Sequence, residues 1–213
     1  YLGEPIAMLA ARSPSIAEDA LELIRVEYDP LPTVVDPWKA MESSAPLLFE
    51  ELGSNVAWKG AVSYGDVEEA FKSADQVVRE NLRTHRYSST PLEPLACLAS
   101  FDNVSHSLNV WCNGQNPEVV YDALGEALSL EDYRVVIPDI GGGFGQKIHL
   151  IRKYIVLTSL MALHTGRPVK WIEDRSEHML AAGQSCGMDF EVEAAVKKDG
   201  TVLGLSIKEV DDV

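Results

Sequence analysis

The sequence has 213 residues, of which 33 are acidic and 18 basic, so its formal net charge is −15 at pH 7. This acidity argues against nucleic-acid binding, which depends on Lys and Arg at phosphates, and against docking on anionic lipid. Cys97, Cys112 and Cys186 are widely spaced and form no CxxC pair, which argues against a zinc, iron–sulfur or disulfide framework. They predict buried thiols in a reducing, cytoplasmic compartment. No apolar run approaches the roughly 18 residues of a membrane span.

Residues 1–36 predict a strand, a helix and a second strand. The apolar run Ile6–Ala10 predicts a buried strand. Ser15 and Glu18 match a capping box, in which the two side chains satisfy free N–H groups at a helix start. The helix is expected to reach Ile24, and a strand around Tyr28 should end at the prolines that follow. Residues 37–64 predict a linker that lies against the body of the protein, because prolines and glycines alternate there with large apolar side chains.

Residues 65–213 predict a second domain in which strands and helices are mixed without strict βαβ order. The expected fold class is therefore α+β, with mixed sheets and packed helices. The chain also has the features of a piece of a longer polypeptide. The predicted elements are a helix capped by Asp66, strands at 76–86, 95–100, 107–112 and 169–172, helices from Pro117 and over Ile148–His164, and a hairpin of 190–196 with 201–210.

The most informative stretch is the glycine loop, defined here as Gly141–Lys147, with the sequence Gly-Gly-Gly-Phe-Gly-Gln-Lys. Glycine permits positive φ and close backbone approach, at an entropic cost of roughly 0.5–1 kcal/mol per residue. The loop precedes a predicted helix, whose first N–H groups are free to hold an anion. It is not a P-loop, because no Ser or Thr follows Lys147, and Gln146 breaks the dinucleotide fingerprint. Ligand contact and a purely structural turn both remain open.

Other candidate residues carry weaker signals. Gln115 lies between a strand and a helix, where its amide can hold an oxo ligand on a metal or simply cap the helix. Glu93, in a stiff loop between two prolines, is a candidate general base or a structural carboxylate. Glu173, Asp174 and Arg175 predict a local charge network. The histidines show no metal-ligand spacing, so no side chain is predicted to bind a metal directly.

Gly-Gly-Gly-Phe-Gly-x-Lys after a strand resembles the signature loop of the molybdenum hydroxylase large subunit, the molybdopterin-binding subunit. This family includes xanthine and aldehyde oxidoreductases and aerobic carbon monoxide dehydrogenase. Five further landmarks agree in order, and together they run from the first residue to about Arg175. They are Tyr1-Leu2-Gly3-Glu4-Pro5, Glu27-Tyr28-Asp29-Pro30-Leu31-Pro32, Glu93-Pro94, Gly114-Gln115-Asn116-Pro117 and Val169-Lys170-Trp171-Ile172-Glu173-Asp174-Arg175.

The resemblance implies that residues 1–36 end a small α/β, hammerhead-like domain and that residues 65–213 begin the molybdopterin-binding domain. Gln115 would orient the oxo ligand of molybdenum. Gly142, Gly143, Phe144 and Gly145 would hold the cofactor through backbone N–H groups. The implied cofactor is molybdenum-molybdopterin in its cytosine dinucleotide form. The implied partners are a small-molecule substrate, the remainder of the large subunit, and domains or subunits carrying 2Fe-2S clusters and FAD.

The chain also departs from the family pattern. The glutamate that serves as general base in the family lies in a downstream Gly-rich stretch, which has no counterpart before Val213. Purine-oxidising members carry a Glu where this chain has Ile148, and the cysteine loop of carbon monoxide dehydrogenases is absent. The resulting hypothesis is that this chain is part of an oxidoreductase that uses water to hydroxylate an aldehyde, an N-heterocycle or a similar carbon centre. This stretch alone is expected to be inactive. The alternative is a truncated or split homologue that serves as a non-catalytic assembly module.

Overall fold

A computed structural model describes residues 3–212, and these form two compact units. The first unit comprises the residues up to Glu27 together with Ser88–Gln184, and the second comprises Tyr28–Tyr87 together with the residues from Ser185 onward. These units are defined by contacts within the chain. The three predicted domain ranges, 1–36, 37–64 and 65–213, stay a prediction.

Helices and strands are mixed along the chain, which confirms the α+β class. The helices are α1 (Pro14–Leu21), α2 (Pro37–Ala40), α3 (Val67–Lys72), α4 (Pro117–Ala127), α5 (Gln146–His149), α6 (Ile151–Thr165) and α7 (Arg175–Ala181), with a 3₁₀ turn at Glu50–Leu52. The strands are β1 (Gln76–Thr84), β2 (Ala96–Asp102), β3 (Ser107–Cys112), β4 (Tyr133–Val136), β5 (Val169–Ile172), β6 (Gly187–Val196) and β7 (Val202–Asp212).

The first unit is built on a four-stranded mixed sheet with the order β4-β3-β2-β5. β2 runs antiparallel to β3 and β5, whereas β3 and β4 are parallel. Parallel neighbours need a crossover connection, and α4 supplies it. The buried core joins the sheet to α4 and α6. Its members include Leu95, Ala99, Leu108, Val110, Val120, Leu124, Ile151 and Ile155.

The parallel pair decides where the candidate residues meet. Gln115 follows the end of β3, and the glycine loop follows the end of β4. Because the carboxyl ends of parallel neighbours lie at the same edge of a sheet, these two connections come together there. Ligands in open α/β sheets bind at this kind of edge.

The second unit is a three-stranded antiparallel sheet with the order β1-β6-β7. The hairpin of β6 and β7 follows the predicted one, with a bulge near its turn at Ala195 and Val196. Trp38 of α2 donates its indole N–H to Asp189 of β6 at 2.9 Å. Most of the β1 and β7 side chains are exposed to solvent.

Several local predictions are confirmed because their capping residues act as expected. Asp66 caps α3, Asn116 caps α4 with Pro117 at its first position, and Gly166 ends α6 in the left-handed conformation. Others are wrong. Ile6–Ala10 and the residues around Tyr28 form no strand, and they pair with none of the seven strands found within residues 3–212.

The N-cap of α1 is also corrected. Ser13, not Ser15, accepts the N–H of Ile16, because Pro14 fits the first helical position and starts the helix earlier. The helix ends at Leu21 rather than Ile24. The long predicted helix is divided at Leu150 into α5 and α6. No helix within residues 3–212 is long and apolar enough to cross a bilayer.

Candidate cofactor site

The side chain of Gln115 is fixed against the glycine loop. Its Oε1 accepts hydrogen bonds from the N–H groups of Gly145 at 2.9 Å and Lys147 at 3.1 Å. Its own backbone N–H donates to the carbonyl of Lys147 at 2.9 Å. Because both partners of the amide are N–H donors, the atom facing them must be oxygen. The amide Nε2 therefore points elsewhere, and it donates to no protein group within residues 3–212.

Close packing on Gln115 explains why one loop position is glycine. A Cβ on Gly143 would lie 2.2 Å from Cδ of Gln115, so any larger residue would displace that side chain. On either side, Gly142 and Gly145 have φ of +90° and +89°, where side chains are strained. Phe144 has φ of +52°, which is uncommon for an aromatic residue.

The middle of the loop presents backbone donors. Within residues 3–212, the N–H groups of Gly142, Gly143 and Phe144 donate to no protein acceptor, although Gly143 is buried. A buried N–H without a partner is rare in proteins. The side chain of Phe144 is 71% exposed, so it does not anchor the loop as a core residue. Its carbonyl accepts the hydroxyl of Ser89 at 3.1 Å instead.

Glu93 holds the opposite side of the loop. Its Oε2 accepts the N–H of Gly141 at 2.8 Å and the ammonium of Lys147 at 2.6 Å. The side chain of Lys147 is fully buried, whereas that of Glu93 is 40% exposed. Burial raises the pKa of Glu93, but the ammonium of Lys147, the N–H of Gly141 and the side chain of Asn113 outweigh it and hold that pKa below its ordinary value.

The sequence did not predict this ion pair. Each residue was visible, as a carboxylate between prolines and as the single cation of the glycine loop. No spacing rule joins positions that are 54 residues apart. The two loops meet because β2 is antiparallel to β3 and β4 is parallel to it, which places the start of β2 and the end of β4 at the same edge of the sheet.

The predicted charge network at Glu173–Arg175 is not a carboxylate–guanidinium pair. Each of the three residues has a different partner. Glu173 accepts the N–H of Leu95 at 3.0 Å and lies 2.7 Å from Nδ1 of the buried His178. Asp174 and Glu177 form a capping box that starts α7, a helix the sequence analysis did not predict. Arg175 donates to the carbonyls of Pro91 and Leu92, at 2.7 and 2.9 Å, and so fixes the loop that carries Glu93.

The described residues contain no group of three or more His, Cys, Asp or Glu side chains placed to hold a metal ion. The site does offer an array of N–H donors without a partner in residues 3–212, namely Nε2 of Gln115 and the backbone N–H groups of Gly142, Gly143 and Phe144. Such an array recognises oxygen and other electron-rich atoms of a ligand. The loop and Gln115 are therefore suited to contact a ligand through N–H donors.

Comparisons with known proteins identify the cofactor class. Residues 48–213 match the family described as the molybdopterin cofactor-binding domain. The chain is 35% identical over 207 residues to the nicotine 6-hydroxylase large subunit of Paenarthrobacter nicotinovorans, which covers 96% of this chain and 25% of that subunit. It is 33% identical to the carbon monoxide dehydrogenase large chain of Afipia carboxidovorans, over 96% of this chain and 27% of that one.

The fold agrees with solved structures. Quinoline 2-oxidoreductase from Pseudomonas putida 86 superposes with a TM-score of 0.83 at 33% identity, over 93% of this chain and 25% of that chain. The aldehyde oxidoreductase of Desulfovibrio gigas has the same fold, with a TM-score of 0.81 at 24% identity. The chain belongs to the molybdopterin cofactor-binding domain family, as the landmark motifs predicted. It spans about a quarter of the length of the relatives named here.

Proposed function

We propose that this chain is part of the molybdenum-cofactor-binding subunit of an oxidoreductase that hydroxylates a carbon centre with oxygen from water. The observation that supports the proposal best is the array of unused N–H donors beside Gln115 at the edge of the β3–β4 pair. Relatives named as a hydroxylase and as a dehydrogenase support the reaction class.

The residues present fit the cofactor. Molybdenum-molybdopterin, when bound, supplies the redox chemistry and the oxygen transfer, while the protein supplies positioning and hydrogen bonds. Gln115 can donate an N–H of its Nε2 to an oxygen ligand while its Oε1 stays on the loop. The N–H groups of Gly142, Gly143 and Phe144, together with the close approach that glycine allows, suit contacts to the cofactor. Gly145 contributes by carrying the N–H that fixes Gln115.

The substrate of the proposed reaction is a small molecule, namely an aldehyde, an N-heterocycle or a similar carbon centre. Relatives named for nicotine and nicotinate, and the structural neighbour named for quinoline, support the heterocyclic class. Ile148 follows Lys147, so this position offers no carboxylate to a purine. The aldehyde oxidoreductase neighbour contributes only its fold, because its identity is 24%.

The proposal also includes the rest of the assembly. We infer the cytosine dinucleotide form of the cofactor, 2Fe-2S clusters and FAD on partner domains or subunits, and a cytoplasmic location. The general base, a glutamate, would come from the remainder of the large subunit. A general base outside this chain is in keeping with a chain that spans about a quarter of the length of its relatives. An assembly module without activity is not favoured, because the relatives are named as subunits of a hydroxylase and a dehydrogenase.

The test is the molybdenum content of the native assembly, purified through this chain from cells that fill other molybdenum enzymes, and measured by elemental mass spectrometry. We expect about one molybdenum atom per copy of the chain. A preparation without molybdenum, from cells whose other molybdenum enzymes are loaded, contradicts the proposed function.

A further inference from the structure

Lys147 is unusual among the cations that form ion pairs in residues 3–212. Its side chain is fully buried, whereas the basic partner in every other Lys–carboxylate or Arg–carboxylate pair is at least 26% exposed. A buried ammonium loses its hydration, and the attraction of one carboxylate seldom returns more than this cost. Burial of this charge is therefore poorly explained by stability alone.

The pair does, however, close a loop. The same oxygen of Glu93 accepts from the N–H of Gly141 and from Nζ of Lys147, which are the first and last residues of the glycine loop. A second oxygen, Oε1 of Gln115, accepts from Gly145 and from the backbone of Lys147. Two side-chain oxygens thus accept four hydrogen bonds from three residues of the seven-residue loop, namely Gly141, Gly145 and Lys147. The three unused N–H groups lie between Gly141 and Gly145.

Glu93 is itself held in place. It lies between Leu92 and Pro94, and Arg175 donates to the carbonyls of Pro91 and Leu92 at 2.7 and 2.9 Å. Proline restricts its own φ and the conformation of the residue before it, which is Glu93 in the case of Pro94. The carboxylate is therefore presented to the loop by a rigid support rather than by a flexible surface segment.

We propose that Glu93 and Lys147 are positioning residues that set the glycine loop at the spacing required for its cofactor contacts. This inference rests on the proposed function, because positioning has meaning only if Gly142–Phe144 and Gln115 contact the cofactor. The ammonium acts through Glu93 and the loop backbone, and it does not touch the reacting atoms. Misplacement of a contact by about 1 Å can reduce turnover by about 100-fold.

The experiment uses the complete enzyme, purified with its cofactor. Lys147→Met keeps the length of the side chain in its buried site and removes the charge, while Glu93 stays partly solvated. Lys208→Met is the matched control, because it removes an exposed Lys–Glu pair with Glu191 in the second unit. Molybdenum content, kcat, KM and the EPR spectrum of paramagnetic molybdenum are measured for wild type and both variants.

We expect Lys147→Met to retain more than about half of the molybdenum, with kcat reduced about 10–100-fold, KM changed less than about threefold, and an altered EPR spectrum. Lys208→Met should match wild type. A loaded Lys147→Met enzyme with an unchanged spectrum and kcat within about threefold of wild type overturns the positioning role. That result leaves the proposed function intact, whereas wild type without molybdenum refutes both.

Glu93→Gln keeps an oxygen acceptor for the loop and removes the negative charge. It therefore tests the positioning role if Lys147→Met does not fold or does not take up molybdenum. The same shift in the EPR spectrum is expected, and an unchanged spectrum overturns the inference. Loss of molybdenum from both folded variants, with Lys208→Met loaded, also overturns it, because the pair would then be required to retain the cofactor rather than to adjust the spacing of a loop that already holds it.

Discussion

The two units use charged residues in different ways. The sheet of the second unit carries ion pairs across its strands, such as Arg83 with Asp189 and Lys208 with Glu191, and their basic side chains are 67% and 60% exposed. In the first unit, Glu93 pairs with a lysine that has no exposed surface. Exposed pairs contribute little, typically 0–1 kcal/mol. We therefore expect a pair such as Lys208–Glu191, in which both side chains are exposed, to be replaceable, and we expect the Glu93–Lys147 pair, which joins the two ends of the glycine loop, to help set the loop geometry.

The largest effect on turnover is expected when the amide of Gln115 is removed, and a surface amide serves as the comparison. Gln115→Ala removes both the support of the loop and the free Nε2 donor, so turnover of the complete enzyme should fall about 10²–10³-fold, as for loss of one preorganised donor. Gln76→Ala, at an exposed position of β1, should leave turnover within about twofold. Steady-state kinetics of the two variants, at equal molybdenum content, make the measurement.

Gln115→Glu refines this test. Its carboxylate can still accept from Gly145 and Lys147, but it cannot donate to an oxygen ligand. We expect a loss of turnover close to that of Gln115→Ala. A decrease of less than about threefold in either variant would mean that the amide does not orient the oxo group.

The second effect compares the two kinds of ion pair directly. Glu93→Ala leaves the ammonium of Lys147 buried without a partner, and we expect the loop amides to open more easily by about 2 kcal/mol. This lies below the 3–5 kcal/mol of fully buried pairs, because Glu93 is 40% exposed. Hydrogen exchange of the Gly145, Gln146 and Lys147 amides, which keep their acceptors in the variant, should accelerate about thirtyfold in the complete protein.

Glu191→Ala serves as the matched change in the second unit. Its partner Lys208 remains in solvent, so exchange of the β6–β7 amides should change by less than about fivefold. Equal effects of the two variants would remove the distinction between the loop pair and the surface pairs.

The third effect concerns glycines. Gly143→Ala places a methyl group where Cδ of Gln115 lies, so the side chain must move and lose its hydrogen bonds to Gly145 and Lys147. We expect a destabilisation of about 1–2 kcal/mol, measured as local opening of the loop. Gly187→Ala is the control, because a Cβ at Gly187 meets its nearest neighbour at an ordinary 3.6 Å. A loop that is insensitive to Gly143→Ala would show that Gln115 is not held as described.

Local signals in the sequence predicted much of the fold. Asp66, Asn116 with Pro117, and Gly166 each act within four residues of their own position, so their caps could be read directly. The Asp174–Glu177 capping box is an equally local signal, and it starts α7. The strand predicted at Ile6–Ala10 fails for a different reason. An apolar run reports a tendency to burial, while a strand also needs a partner edge elsewhere in the chain.

The candidate site could be predicted only where its residues lie close together in the sequence. The glycine loop and Gln115 could be named, because each lies in a short motif. The packing of Gly143 on Gln115 and the closure of the loop by Glu93 depend on which strands are parallel. That topology is a property of the whole sheet, so the spacing of residues along the chain does not contain it.

The smallest expected effect is the pH dependence of the loop. Burial raises the pKa of Glu93, but its hydrogen bonds to Lys147, Gly141 and Asn113 more than compensate, so the folded value lies below the ordinary 4.5. A lowered carboxyl pKa means that the folded loop favours the ionised form. The contribution of Glu93 is therefore complete above about pH 4.5 and is lost as the pH falls through its lower folded value.

The measured quantity is the difference in hydrogen-exchange protection of the loop amides between wild type and Glu93→Gln. We expect this difference to be constant from about pH 7 to about pH 5 and to shrink toward about pH 3. Rates are corrected for the intrinsic pH dependence of exchange, and Glu191→Gln in the second unit is measured in parallel. If the protection of wild type over the variant instead grew on acidification, the sign would be wrong for a carboxylate held by an ammonium. That result would place the proton on Glu93 in the folded loop, and the ion pair could then not be the contact that closes it.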